Sequence, residues 1–350
     1  MIKKISLLML IVILTLSLFG CSDGGSANNE ASSGKPVTWR ITHEEVVGSV
    51  QDVYANKFKE LIEEKSAGKI KVEVYPVGQL GDGVTQVELL QDGGVDFAIN
   101  NPGAVATIIP ENQVFSLQFL LSDDMDVNQK VMTEGAAKDE LNNIYLKKGI
   151  KVLDWFTEGF QMWTGNKSLT SIDDFKGFKM RTMASPMISA GYEAYGANPT
   201  PIPYMEVYSS LQLNMIDGQV NPIFAIEEMK FYEVQKYLMM SKQNTFVGTF
   251  CVNPDFWDKL GDSDKGMVES IVPELNKYIF EVQENLNTER LEKIKEVSDI
   301  QIVELTDGER DSFKEASIPV RDVYVNEVGE KGKKILDLLI KDVEKFENEK

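Results

Sequence analysis

Between Thr38 and Ile99 the chain alternates between strand-like and helical patterning, and this alternation restricts the possible fold more than any other feature. Thr38–Ile41 and Ile70–Tyr75 alternate or carry β-branched residues, and Gln51–Lys65 between them sets Val53, Tyr54, Phe58, Leu61 and Ile62 at helical spacing. Thr85–Gln91 reads as a short helix ended by Gly93-Gly94, and Asp96–Ile99 as a short buried strand. Strands joined in this rhythm pair in parallel through right-handed crossovers. The predicted fold class is α/β, a mixed, mostly parallel sheet flanked by helices, whose ligand sites lie beyond the C-terminal strand ends.

The roughly 310 residues that follow position 36 are too many for one comfortable core and suit two lobes. Val152–Phe156 and Gln161–Trp163 read as strands that leave the first lobe and enter the second, with Phe246–Val252 as the return. Asp264–Ser298 has a long helical pattern that Pro273 should break or kink. No internal repeat is visible, and the charged helix Lys333–Lys350 is expected to present a solvated face while capping the second lobe.

The N-terminus indicates where the protein works. Lys3 and Lys4 precede an apolar run from Ile5 to Phe19, too short for a comfortable membrane span, so residues 1–20 read as a signal peptide. Leu18-Phe19-Gly20-Cys21 resembles a lipobox, which makes Cys21 the expected lipidation site, with the bulky Phe19 as a departure from the usual residue. Residues 21–36, Gly- and Ser-rich, would be a flexible tether. With Cys21 lipidated, Cys251 is left without a partner in an apolar stretch, so no intramolecular disulfide is expected. The formal charge of −19 argues against nucleic acid and against a polybasic membrane contact. It does not exclude an anionic ligand held by local cationic groups.

One stretch concentrates the binding chemistry: Ser171–Pro222. A short strand, Phe178–Arg181, ends in an arginine, and the amphipathic helix Tyr204–Asn214 is followed by Asp-Gly-Gln-Val-Asn-Pro. A guanidinium presents a planar fork that suits a carboxylate bidentately. By itself an arginine is more often one half of a surface ion pair. The motifs DDFKGFKMR, EAYGANPTPIPYMEVYSSLQ and MIDGQVNP resemble the extracytoplasmic solute-binding subunits of TRAP transporters, the DctP-like family. SAGKIKVEVYPVGQLGD with LLQDGGVDFAI, and EEMKFYEVQKYL, match further, so that the resemblance runs from Val37 to the C-terminus.

The resemblance implies a two-lobed, periplasmic-binding-protein-like fold with a long helix spanning both lobes. Lobe I would comprise 37–158 and 247–286, and lobe II 159–246 and 287–350. Arg181 becomes a carboxylate anchor, Asn221 a ligand amide (or a plain helix-capping loop residue), and Tyr204 an aromatic cover (or an ordinary core tyrosine). Asn101, His43 and Glu44 fall in ligand loops, and Trp163 would add an aromatic wall. Many relatives carry a second arginine about twenty residues before the anchor; here that position is Gln161, which supplies no positive charge. Together with Glu44, which would favour an amine, this predicts a monocarboxylate such as an amino, hydroxy or aromatic acid. The protein would be a lipid-anchored monomer outside the cell membrane, delivering its ligand to membrane-embedded TRAP subunits.

Two other readings stay open at this stage: the binding lipoprotein of an ATP-driven importer, and a C4-dicarboxylate receptor. Catalysis is disfavoured. His43-Glu44-Glu45 contains the sole histidine and has no second His or Cys partner for a metal. There is no His-Glu-x-x-His, Gly-x-Ser-x-Gly or Gly-Lys-Ser/Thr motif. No cofactor is expected.

Overall fold

The computed structural model describes residues 35–349. The signal segment 1–20, Cys21 and the tether as far as residue 34 lie outside the described residues. The described residues form ten strands: β1 Val37–His43, β2 Ile70–Tyr75, β3 Phe97–Asn100, β4 Lys151–Gly165, β5 Lys179–Thr182, β6 Asn198–Pro201, β7 Gly218–Pro222, β8 Tyr237–Met240, β9 Thr245–Val252 and β10 Gln301–Glu304. They follow the order β2-β1-β3-β9-β4-β7-β5-β6, with β8 also on β4 and β10 on β8. β1 is parallel to β2 and β3, as the crossover rhythm predicts, and β5 is parallel to β6 and β7. β4 and β9 run antiparallel to their neighbours and make the sheet mixed.

β4 departs from expectation. The two strands predicted on either side of Thr157-Glu158-Gly159 are one strand of 15 residues. Lys151 to Phe160 pairs with β9, and Gln161 to Gly165 continues against β7. The polar triplet looks like a turn, but Thr157 and Glu158 are buried. The ladder accommodates it by a register shift between Thr157 and Gly159. Gly159 sits at φ +112°, and a Cβ there would meet Asn287 Nδ2 at 2.5 Å, so only glycine fits this kink.

Each half of the sheet buries both faces. In the first half, one face packs Trp39, Tyr54, Phe58, Phe97 and Phe250 under the helix Val50–Lys65; the other packs Val87, Leu90, Val131, Leu141 and Trp155. In the second half, Trp163, Phe175 and Phe313 fill one face, and Met162, Leu211 and Ile226 the other. One 36-residue helix, Asp262–Val297, joins them: Val268, Ile271, Leu275 and Ile279 belong to a first-half core and Ile294 to a second-half core. Pro273 does not break it. Pro273 and Glu269 both face solvent, where water can satisfy the carbonyl that loses its donor.

The C-terminal helix is a second correction. Glu330–Asn348 does not cap the second lobe: its apolar stripe, Ile335, Leu336, Leu339, Val343 and Phe346, joins the first-half core. There it lies against the helices Met125–Glu134 and Ala136–Lys147, and Asp342 accepts from Ala137 N at 2.9 Å. A charged helix of this kind carries its stripe at i, i+4 spacing, which shows that it packs but not against which lobe.

Candidate functional site

The C-terminal ends of β1, β2 and β3 face those of β5, β6 and β7 across a cleft of about 460 Å³, a volume suited to a small molecule. The walls approach closely at Gly103, where a Cβ would lie 2.9 Å from Met183.

The first wall is acidic and densely hydrogen-bonded. Leaving β1, the chain turns so that consecutive residues Glu44 and Glu45 both line the cleft. Glu44 Oε1 accepts from Asn100 Nδ2 and Asn101 N, each at 3.2 Å, and Asn101 Nδ2 donates to Oε2. Its own N–H donates to Gln51 Oε1 at 3.0 Å. Burial nevertheless pushes the Glu44 carboxyl up to about 8. Gly83 is required opposite it, since a Cβ there would meet Glu44 Cδ at 2.8 Å. Glu45 Oε2 accepts from Gln51 N at 3.2 Å, and burial raises its pKa above the ordinary value.

The second wall carries the cation. Arg181, 3 % exposed, sits near the end of β5. Its Nε and Nη2 donate to Ile202 O at 2.9 and 2.8 Å, which aims the guanidinium from the strand edge. Among the described residues no Asp or Glu pairs with it, and burial pulls its pKa down to about 10, so it stays cationic at neutral pH. Asn221, in the β7 ladder opposite Met162, donates through Nδ2 to Gln219 Oε1, which is in turn held through Gln219 Nε2 to Thr164 Oγ1 at 3.1 Å. Tyr204 stands edge-on to Phe231, and its hydroxyl is buried without a hydrogen-bond partner.

Five of the eight residues singled out in the sequence thus share one cleft: Glu44, Asn101, Arg181, Tyr204 and Asn221. Asn101 is there in another capacity, since its Oδ1 caps the helix Pro102–Val105 and its Nδ2 clamps Glu44. Gln161 lines a separate cavity of about 20 Å³, room for about one water, behind Met183 and Phe246. With Gln161 outside the cleft, three of the expected ligand contacts fail. His43 is fully buried, with Nε2 3.2 Å from Asp52 and Nδ1 accepting from Glu45 N at 3.4 Å; it orients the loop and does not line the cleft. Trp163 is fully buried too, donating to Tyr192 Oη at 3.0 Å among Phe175 and Phe313, because inward alternation on β4 turns it into the core.

Sequence reading missed Glu45 as a wall residue, along with Phe246, Met183 and the loop Val77–Thr85. Strand alternation would send Glu44 and Glu45 to opposite sides, but β1 ends at His43 and the rule lapses there. Position just past a strand's C-terminal end, applied to β2 and β5, would have found the loop and Met183.

Comparison with known proteins fits this geometry. Residues 41–327 match the bacterial extracellular solute-binding proteins of family 7. The ectoine-binding periplasmic protein TeaA of Halomonas elongata is 35% identical over 313 residues, 89% of this chain and 91% of TeaA. Its solved structure superposes with a TM-score of 0.85, covering 88% of this chain and 99% of the other. The ectoine/5-hydroxyectoine-binding protein UehA of Ruegeria pomeroyi is 34% identical over 92% of this chain and 95% of its own. The C4-dicarboxylate-binding protein DctP of Rhodobacter capsulatus is 30% identical over 91% and 96%. These relatives are binding proteins and not enzymes, and they set the ATP-driven importer aside: the chain belongs to the DctP family, the extracellular solute-binding proteins of TRAP transporters.

Proposed function

We propose that the protein captures a compact monocarboxylate bearing a positive group, a zwitterion of the ectoine class, and delivers it to membrane-embedded TRAP subunits. The observation that carries this reading is a buried guanidinium without a carboxylate partner, Arg181, across the cleft from two buried acids, Glu44 and Glu45. Ectoine has one carboxylate and one delocalised amidinium, so each wall would meet its opposite charge. Asn221 and the unpartnered Tyr204 hydroxyl would add hydrogen bonds beside Arg181. Among the described residues of the cleft Arg181 is the only cation. A C4-dicarboxylate would therefore bring its second carboxylate against Glu44 and Glu45, and Gln161 offers no charge to hold it.

In this reading 37–158 with 247–286 and 159–246 with 287–329 are the two moving lobes. The C-terminal helix, packed on first-half elements, would travel with lobe I. A ligand touching both walls favours the closed form only by its differential affinity for it. The residues Leu18-Phe19-Gly20-Cys21 support a lipid anchor at Cys21 on a monomeric receptor; release of a Cys21→Ala variant from the membrane fraction tests the anchor.

Calorimetric titration with ectoine, 5-hydroxyectoine, lactate, succinate, malate and galactonate tests the ligand class. Saturable binding of the zwitterions, with weaker or absent binding of succinate and malate, is expected. Micromolar binding of a dicarboxylate with no response to monocarboxylates overturns the proposal.

A further inference from the structure

Behind Glu45, away from the cleft, stands a second carboxyl. Glu158 lies on β4 beside the kink at Gly159, fully buried, and its carboxyl and that of Glu45 are near enough to perturb each other's titration. Gln51 bridges the two, its N–H donating to Glu45 Oε2 at 3.2 Å and its Nε2 to Glu158 Oε1 at 3.0 Å. Among the described residues none donates to Glu158 Oε2. Ionised carboxylates only accept, so a hydrogen bond between two carboxyls requires a proton on one of them.

We propose that Glu158 is a positioning residue that holds one proton in common with Glu45, and that a cationic group docking on Glu45 displaces this proton to solvent. The pair passes from one proton and one negative charge to no proton and two, and the added charge is met by the ligand's positive group. This step rests on the zwitterion reading above.

The surroundings fit this role. His43, Asp52 and Glu44 face Glu45 from its own wall; Arg181 and Tyr204 lie across the cleft. Glu227 and Glu228 approach from the helix Ile223–Glu228, and Arg290 and Lys293 from the long helix. Both of those cations are engaged by Glu227, at 2.7 and 2.6 Å, while Arg290 reaches Glu228 only at 3.8 Å and both Glu228 oxygens lack hydrogen bonds. Among the described residues on this side of the cleft, Arg290 and Lys293 are therefore not free to neutralise the pair. Burial first, and the Glu45 charge second, hold Glu158 well above the ordinary carboxylate range.

The test is calorimetric titration of the purified protein with ectoine at several pH values, in two buffers of different ionisation enthalpy. Release of up to about one proton per ectoine is expected, with affinity rising by as much as about tenfold per pH unit. Glu158→Gln should diminish both the release and the slope, its amide donating to Glu45 in place of the proton and leaving only what Glu44, raised by burial to about 8, contributes. Ectoine binding with no proton exchange in the wild type, or an undiminished slope in Glu158→Gln, overturns the proposal. If Glu158→Gln does not fold, the proton count in the wild type decides. If ectoine does not bind at all, the ligand class has failed and the shared proton is judged without ligand. The wild-type thermal midpoint should then fall more steeply with rising pH than that of Glu158→Gln, and equal slopes would sink it.

Discussion

The two walls of the cleft solve opposite problems. On the first wall the acids that line the cleft are held before a ligand arrives: Glu44 accepts from Asn100 and Asn101, and Gln51 spans Glu44 N, Glu45 and Glu158. On the second wall a buried guanidinium has only a backbone carbonyl, and a buried phenol has nothing. Unmet buried polar groups cost free energy, and a ligand that satisfies them recovers that cost. The asymmetry teaches that the second wall supplies most of the binding free energy, whereas the first sets charge and shape.

Removing the cation breaks the comparison most severely. Truncating one partner of a buried charge pair costs about 2–5 kcal/mol, so Arg181→Ala should weaken binding of a carboxylate ligand at least about thirtyfold. Titration calorimetry measures it. The same change relieves the ligand-free protein of an uncompensated buried charge, so its thermal midpoint should fall far less than binding does. Unchanged affinity would remove Arg181 from the site and with it the contrast between the walls.

The first wall is best tested by pH. The folded-state pKa of Glu44, about 8, lies above its ordinary value of 4.5, because burial disfavours the charged form. The folded state therefore binds more protons than the unfolded state between these values, and stability declines as pH rises. Its contribution is fully present below the unfolded pKa and is lost as pH climbs through about 8. Glu44→Gln should leave the midpoint little changed at pH 5 and flatten its decline towards pH 9. A decline of equal slope in wild type and Glu44→Gln would mean that other buried acids, Asp154 or Glu228, carry it.

How legible these walls were follows from the kind of signal each residue leaves. β1, β2 and β3 were visible because period-2 and period-3.6 patterns alternate, and Arg181, Asn221 and Tyr204 because they sit in extended motifs beside strand ends. β4 was cut in two because Glu158-Gly159 has turn chemistry, and only the partner strands show that the triplet is buried. Trp163 reads as a ligand contact because an aromatic ring suits a site, and His43 because it follows the first predicted strand. Yet Trp163 lies inside the alternation of β4, and His43 is the last residue of β1, turned toward Asp52. Glu45 was passed over for want of a register beyond the strand. Each error lies where a tertiary partner, and not local pattern, decides which way a side chain points.

Asn221 should rank well below Arg181. Its amide is neutral and already tied to Gln219, so a hydrogen bond to ligand adds about 1 kcal/mol. Asn221→Ala should lower affinity about fivefold, and a loss approaching that of Arg181→Ala would mean that the second wall acts through its amide and not its charge.

The smallest effect on binding is expected at Trp163, and it isolates the site from the scaffold under it. Trp163 fills a second-half core and donates to Tyr192, which lines the small cavity next to the cleft. Trp163→Phe keeps the aromatic packing against Phe175 and Phe313 but loses the indole donor and some volume, a cost of about 1–2 kcal/mol in stability. Affinity should stay within about twofold, because Trp163 does not line the cleft and shares no hydrogen-bond partner with Arg181 or Asn221. The two quantities separate the alternatives: a lower midpoint with intact affinity places Trp163 in the scaffold of the second wall, whereas a tenfold loss of affinity at unchanged stability would return it to the binding surface.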